Sequence, residues 1–466
     1  MATKFVFHPT DPTQLQEQYD LIIIGSGGTG LTSALQAYEL GLHPVILEKN
    51  TQIGGNTTRA SSGMNAAETN IQLQHQIVDS FAEFYQDTLQ GGGQKNNPHL
   101  LHYFTEHSAL AIDWLAQHGI ELTDLTITGG MKIKRTHRPA SMAPIGGFLV
   151  NQLLQQIAQA QIPLFTEVAV TQILQAQGKV SGVQVKQAGQ EKTIAAAAVI
   201  LATGGFGASS QLLEKYRPDL RNLKTTNQPG ATGDGIKLAQ AAGADLVDMD
   251  QVQVHPTVQQ ESDHAFLIGE AVRGEGAILV DQNGERFVNE LATRKEVTAA
   301  IDCLPGRKAS LIFDQEVRQR VQAIEFYDHI GLVLTATTWA GLAQQNQWEP
   351  ATLTTTIQNW NQVVTQKALD PLGRTTGRHT LTTRPFYAIH IAPAVHYTMG
   401  GVVINELTQV LTPEQKVIPG LFAAGEVAGG LHGNNRIGGN SIAETVIFGR
   451  QAGQQAFKYC KTLIGG

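Results

Sequence analysis

An α/β fold is predicted for this 466-residue chain by three features of its sequence. A β-branched run at 19–24 (YDLIII) opens into the glycine turn Gly25-x-Gly27-x-x-Gly30 and then a helical pattern. Two more glycine-rich strand ends stand at 199–207 (VILATGGFG) and 421–430 (LFAAGEVAGG). Between them, 253–295 gathers histidine, carboxylate and guanidinium groups among glycines. The wide spacing of the strand ends means that a Rossmann-like nucleotide-binding domain begun near residue 20 is completed only after residue 400. The expected architecture is that domain, discontinuous at 1–249 and 398–466, with an inserted α+β capping (substrate) domain at 250–397.

Each element has a local cause. A short, continuous apolar run with β-branched residues suits a parallel strand buried on both faces. Leu31, Ala34, Leu35 and Tyr38 then recur at helical spacing, and Gly41 can close the helix as its C′ residue. A second strand, Pro44–Leu47, ends at Glu48. Strand, glycine turn, helix, strand and acid together make a complete dinucleotide-binding context, far more specific than glycines alone. The glycines let the backbone approach a pyrophosphate at the positive end of the helix, and Glu48, about 20 residues on, can accept hydrogen bonds from an adenosine ribose. A tight turn without ligand is the competing reading, weakened by the full context. The alanines at 195–198 read as a lead into the strand that follows, and no tandem repeat is evident.

Composition excludes several classes. The formal charge is −7 and charged residues are only 16% of the chain, with no long basic run, so neither nucleic acid nor a membrane surface is expected as partner. Cys303 and Cys460 lie in no CxxC or CxxCH pattern, which signals neither a disulfide framework, a metal site nor a c-type haem. The N-terminal arm lacks a basic region followed by an apolar one, and no run of about 18 apolar residues occurs. A cytoplasmic protein with no integral membrane segment is expected.

The stretch 253–295 holds His255, Glu270, Arg273 and Arg294. Any one of them alone would read as part of a solvated, salt-bridged surface. Together on a glycine-loosened backbone they suit a substrate with carboxylates and a reaction that moves a proton.

Further along, GGNT and SSGMNAAET follow Glu48, and GATGDG, QVHPT, EAVRGEG, RFVNE, HYTMGG, GLFAAGEVAGG and NRIGGNSI appear in order. With these motifs the chain resembles the fumarate reductase and succinate dehydrogenase flavoprotein family over 19–459, particularly the flavoprotein part of its soluble, flavocytochrome c type fumarate reductases. The resemblance implies FAD, with Glu48 on the ribose and Asn56, Thr57, Ser61 and Ser62 along the flavin. It places Glu426, Ser441 and Ile442 on the ribityl chain and ring, at a helix beginning near Gly439, and makes Asp234 a further contact. Gly25, Gly27, Gly28, Gly30, Lys49, Gly63, Val168, Thr203 and Gly204 complete the cofactor-binding set it implies. In membrane-bound relatives a histidine joins the flavin covalently and would fall at Asn56; an amide cannot form that bond, so non-covalent FAD is expected.

For substrate, the resemblance implies an α,β-unsaturated carboxylate. Such a double bond accepts hydride only when its carboxylate withdraws electrons. His396 and Arg436 resemble the clamp for one carboxylate and His255 that for the other, with Ser62, Gly269, Glu270 and Gly439 nearby. Arg294 takes the family's proton-donor role, and Glu270 with Arg273 its relay from solvent; the plainer alternative is that these two brace the loop. An arginine, with pKa above about 12, serves as acid only if it is reprotonated at once. One position departs from the pattern: the residue before the relay glutamate is usually threonine, and here it is Gly269, which removes a hydroxyl and opens room. The leading expectation is fumarate reduced to succinate. The alternatives are a bulkier enoate such as urocanate or an aryl acrylate, an L-aspartate oxidase-like flavin oxidase, a less favoured membrane-complex subunit and, least favoured, a non-catalytic flavin carrier. Without a haem motif, electrons are expected from outside: reduced flavin, a nicotinamide-linked reductase or a small carrier.

Overall fold

The computed structural model describes residues 5–261 and 265–464. Its central sheet has the spatial order Gln409–Leu411, Val417–Ala423, Gln190–Leu201, Gln18–Ile24, Pro44–Leu47 and Leu164–Phe165. The strands from Val417–Ala423 to Leu164–Phe165 are parallel. Leu21, Ile22 and Ile23 are fully buried, as a strand covered by helices on both faces must be. The sheet closes only with the strand at 417–423, so the parallel layer needs both ends of the chain. The alanines at 195–198 lie inside their strand rather than before it; it starts at Gln190 because an antiparallel hairpin, Val168–Ala176 and Lys179–Gln187, extends the sheet there.

The glycine turn leads into the helix Gly28–Glu39. Gly41, with φ +94°, is its C′ residue: its N–H reaches Tyr38 O and that of Leu42 reaches Ala37 O, the paired bonds of a Schellman ending. This helix packs against the long C-terminal helix Asn440–Ile464.

A second sheet, antiparallel, runs Phe266–Leu267, Val252–Gln259, Phe386–Thr398, Ala309–Asp314, Ile278–Val280, with Leu334–Ala336 also on Phe386–Thr398. Two apolar cores form. One gathers buried residues from 19–252 and 395–460; the other gathers 268–391 around the buried Trp360. The paired strands at 252–259 and 386–398 pass from one core to the other, since Val252 and Val395 pack in the first and Ile389 and Ile391 in the second. Functional side chains on this pair therefore sit at the seam. Among the described residues, no helix is long and apolar enough to cross a membrane.

Candidate active site

A cavity of about 950 Å³ runs from the glycine turn to the seam, at the upper end of the usual size for ligand sites. Its near end is built from backbone. Gly27 and Gly28 line it at the start of the first helix, where N–H groups without intrahelical partners favour an anion; that of Gly28 donates to Thr57 Oγ1 at 3.1 Å. A Cβ on Gly28 would stand 2.7 Å from Thr445 Cγ2 and 2.9 Å from Thr57 Cγ2, so only glycine lets the chain pass so close. Gly30 does not reach the cavity: a Cβ there would strike the carbonyl of Gly25, which makes it the glycine of close helix-strand packing. Gly63 is likewise a packing position, against the His137 carbonyl and Thr136.

The other expected cofactor residues line this cavity: Gly25, Glu48, Lys49, Asn56, Thr57, Ser61, Ser62, Val168, Thr203, Gly204, Asp234, Glu426, Ser441 and Ile442. Glu48 accepts from the N–H and hydroxyl of Ser26 at 3.1 and 2.7 Å, and from the N–H and amide of Asn50 at 2.9 and 3.0 Å. Asp234 pairs with Lys49 at 2.6 Å. Its carboxyl is held below its ordinary value, because the Lys49 hydrogen bond and charge outweigh burial. Burial raises the Glu426 carboxyl to about 7, although it accepts from the Thr398 N–H. The long cavity, its amide-lined end and its polar flank fit a dinucleotide, FAD, held by these groups.

At the far end the wall is formed by Arg294, His396 and Arg436. Arg294 opens the helix Arg294–Asp302, whose Thr293 and Glu296 form a capping box. Its Nε donates to Glu270 Oε1 at 2.6 Å and its Nη1 to Gln253 Oε1 at 2.9 Å. Nη2 has no protein partner among the described residues. Arg273 Nη2 stands 3.6 Å from the same Glu270 oxygen. Burial alone would raise the Glu270 carboxyl, but the charges of Arg294 and Arg273 hold it down to about 2. Arg273 is itself fixed: its Nη1 donates to Glu290 O at 2.6 Å, and buried Arg374 donates to its carbonyl at 2.7 Å.

Both histidines are neutral. Burial and then the Arg294 charge hold His255 and His396 well below the ordinary imidazole value. Nδ1 of His255 accepts the Thr257 N–H at 3.3 Å, which assigns the ring proton to Nε2. Nδ1 of His396 meets the Thr226 hydroxyl at 2.7 Å, and the two rings lie edge to face with centroids 5.1 Å apart. The Arg436 guanidinium sits over the Tyr397 ring at 4.4 Å, and burial lowers its pKa to about 10, still charged at neutral pH. Around this end His255 Nε2, Glu270 Oε2, Arg273 Nε and Arg436 Nε are buried without partners. Each such group costs about 1–3 kcal/mol, and four in one cluster mark a place that a polar ligand completes.

Of the expected substrate residues, Arg294, His396, Arg436 and Ser62 line the cavity, while His255, Glu270 and Arg273 stand beside them and are not among its lining residues. Gly439 packs against Asn65, and Gly269 against Ser61 and Tyr327. Three residues of the site went unread in the sequence. Gln253 ties Arg294 to the 435–436 loop, donating to Asn435 Oδ1 at 2.9 Å and Arg436 O at 2.7 Å; strand alternation of Gln253, His255 and Thr257 was the available signal. Gly438 leaves space for Glu270 and Arg294, since a Cβ there would stand 2.5 Å from Glu270 Oε2. Tyr327 comes from a distant helix and carried no local signal.

Comparison with known proteins agrees with this geometry. The family model of the FAD binding domain matches residues 20–442. The NADH:fumarate oxidoreductase of Klebsiella pneumoniae (strain 342) is 46% identical over 444 residues, 95% of this chain and 48% of that protein; the chain thus spans about half of that relative's length. The fumarate reductase (cytochrome) of Shewanella frigidimarina is 40% identical over 446 residues, 95% of this chain and 77% of its own. The open conformation of a flavocytochrome c3 fumarate reductase superposes with a TM-score of 0.81 at 36% identity, covering 96% of this chain and 79% of that one. With the nucleotide cradle, the arginine-histidine wall and these likenesses together, the chain belongs to the FAD-binding fumarate reductase flavoprotein family, and FAD is its cofactor.

Proposed function

We propose that this protein reduces fumarate to succinate, with Arg294 as the proton donor. The observation that carries the reading is the charge balance at the seam. Three guanidiniums, of Arg294, Arg273 and Arg436, surround one carboxylate, Glu270, and the two neighbouring histidines are neutral. With Glu426 raised to about 7, and so only partly ionised near Arg436, positive charge exceeds negative in this buried site, the complement of a carboxylate-bearing substrate.

Bound FAD supplies the hydride. The chain's own groups do the rest. Arg436 and His396 hold one carboxylate, Arg436 offering a planar fork that a lysine lacks. His255, with its Nε2 proton unpaired, serves the other. As a neutral donor it binds without adding charge. Arg294 presents Nη2 to the carbon opposite the one reduced, and its proton is replaced along Glu270 and Arg273. Glu270 is ionised at rest, so it can receive a proton from Arg273 and return it to the neutral Arg294 guanidine at Nη2, the nitrogen that gave its proton to the substrate carbon, while Arg273 is reprotonated from solvent. We take 250–397 as the capping segment, because its core is separate and its strands carry His255 and His396 at the seam. Non-covalent FAD is part of the proposal, supported by Asn56 at the cavity wall with its amide bonded to Asn227 and its carbonyl to the Gln228 N–H. Electrons come from a separate donor, and the unpaired thiols of exposed Cys303 and buried Cys460 support a cytoplasmic setting.

The test is to reduce the bound flavin anaerobically and add fumarate, urocanate, cinnamate or oxygen separately. Fumarate is expected to reoxidise it fastest by a wide margin, and Arg294→Ala to abolish that reaction with the flavin spectrum intact. Faster reoxidation by an aryl acrylate or by oxygen, or substantial turnover in the variant, would refute the proposal.

A further inference from the structure

Gly269 removes a hydroxyl from the side of the site that faces His255, and the structure shows what stands in its place. A Cβ on Gly269 would lie 3.4 Å from Ser61 Oγ and 3.5 Å from the Tyr327 hydroxyl. Both are ordinary contacts, so a side chain can be accommodated there. The room beside the glycine is flanked by two hydroxyl groups.

Tyr327 lies on the helix Ala323–His329 and is only 5% exposed. Its oxygen accepts the Gly269 N–H at 3.1 Å, which uses a lone pair and orients the ring. Its own hydrogen has no protein acceptor among the described residues, and the residue lines the same cavity as Arg294, His396 and Arg436. Burial raises the phenol's pKa, so the O–H stays protonated at neutral pH. A short hydrogen-bonded path joins it to His255: the Thr257 N–H donates to His255 Nδ1, the Thr257 hydroxyl to Ile268 O, and Gly269 follows directly. Phenol and imidazole are thus registered on one edge of the seam.

We infer that the Tyr327 hydroxyl donates to the substrate carboxylate at the His255 end and so sets the preference for a dicarboxylate over an enoate that carries hydrogen or an aryl ring there. The assignment rests on the fumarate reading. It gives the capping segment a direct hand in choosing the substrate: the hydroxyl arrives from a helix 58 residues along the chain instead of from the side chain at 269.

The test uses the FAD-loaded Tyr327→Phe variant. KM and kcat are measured with fumarate and with acrylate, and succinate is titrated against the absorbance of the oxidised flavin. A hydrogen bond to a charged partner is lost, so KM for fumarate and the succinate dissociation constant are expected to rise about ten- to hundredfold. The acrylate KM and both kcat values should stay within a few fold. The double variant Tyr327→Phe/Gly269→Thr, which returns a hydroxyl from the loop, is expected to recover most of the lost dicarboxylate affinity. A loss that falls equally on acrylate, or a double variant that binds succinate no better than the single one, would show that the phenol only braces the loop and would overturn the inference. A wild-type enzyme that fumarate fails to reoxidise overturns the parent reading and this assignment with it.

Discussion

Replacing Glu270 with glutamine should separate what its charge does for the fold from what it does for the reaction. The carboxyl lies at about 2 where a free one lies at 4.5. At roughly 1.4 kcal/mol per unit, the site favours the ionised form over the neutral one by about 3 kcal/mol. Because the folded value is depressed, this stability is present above pH 4.5 and is lost as pH falls toward 2. At neutral pH the variant forfeits it. A chain this long unfolds with an entropy of roughly 1 kcal/mol/K, so Tm should fall by about 3 °C, and wild type and variant should converge in acid. Binding should move the other way: three guanidiniums without their carboxylate attract a dianion at least as well as before, so the succinate dissociation constant should hold or tighten. Turnover should fall by about 10²–10⁴, the usual worth of a positioned proton-transfer group. Calorimetry, flavin-monitored titration and anaerobic stopped-flow with fumarate measure the three. Turnover within threefold of wild type would refute the relay, and weaker succinate binding would refute the charge balance.

Gly438→Ala places a Cβ 2.5 Å from Glu270 Oε2 and 3.3 Å from Arg294 Nη2; the expected outcome is at least a tenfold loss of kcat with FAD content unchanged, and a fully active variant would show that the pair has slack. Acid precipitation of the holoprotein should leave the yellow colour in the supernatant, since Asn56 cannot carry a covalent flavin; colour in the pellet would contradict this. Stability should fall as pH drops below about 6.5, because burial keeps His255, His396 and His137 neutral in the fold, the last with a value of about 4. Each then takes up a proton only on unfolding, and three together give a slope of roughly 4 kcal/mol per pH unit at its steepest. Unfolding near pH 5 without net proton uptake would exclude this.

What the sequence revealed and what it withheld divide along a physical line. The strand at 44–47, the glycine turn and the helix ending at Gly41 are set by interactions within a few residues of each other, and so their signals are local. Arg294 and Glu270, 24 residues apart, were legible as chemistry because their residue types are costly to bury without use. Their pairing was not, because it depends on a strand, a helix start and Gly438 meeting in space. Gly439 drew attention as a helix start, yet its neighbour Gly438 is the position whose missing side chain leaves space for Glu270 and Arg294.

Protonation states are withheld for the same reason. A histidine in QVHPT or HYTMGG reads as a cation beside a carboxylate, and only the arginines packed around both rings make them neutral. That changes the argument about substrate. Were both histidines charged, the seam would carry two further positive charges and would go well beyond what a dicarboxylate balances. With both neutral the excess is smaller, in keeping with the proposed dicarboxylate, and, as inferred, Tyr327 supplies the hydroxyl missing from Gly269. The proposed answer to the doubt that position 269 raises in sequence thus rests on two features no local pattern contains: a burial that silences two imidazoles, and a phenol brought in from a distant helix.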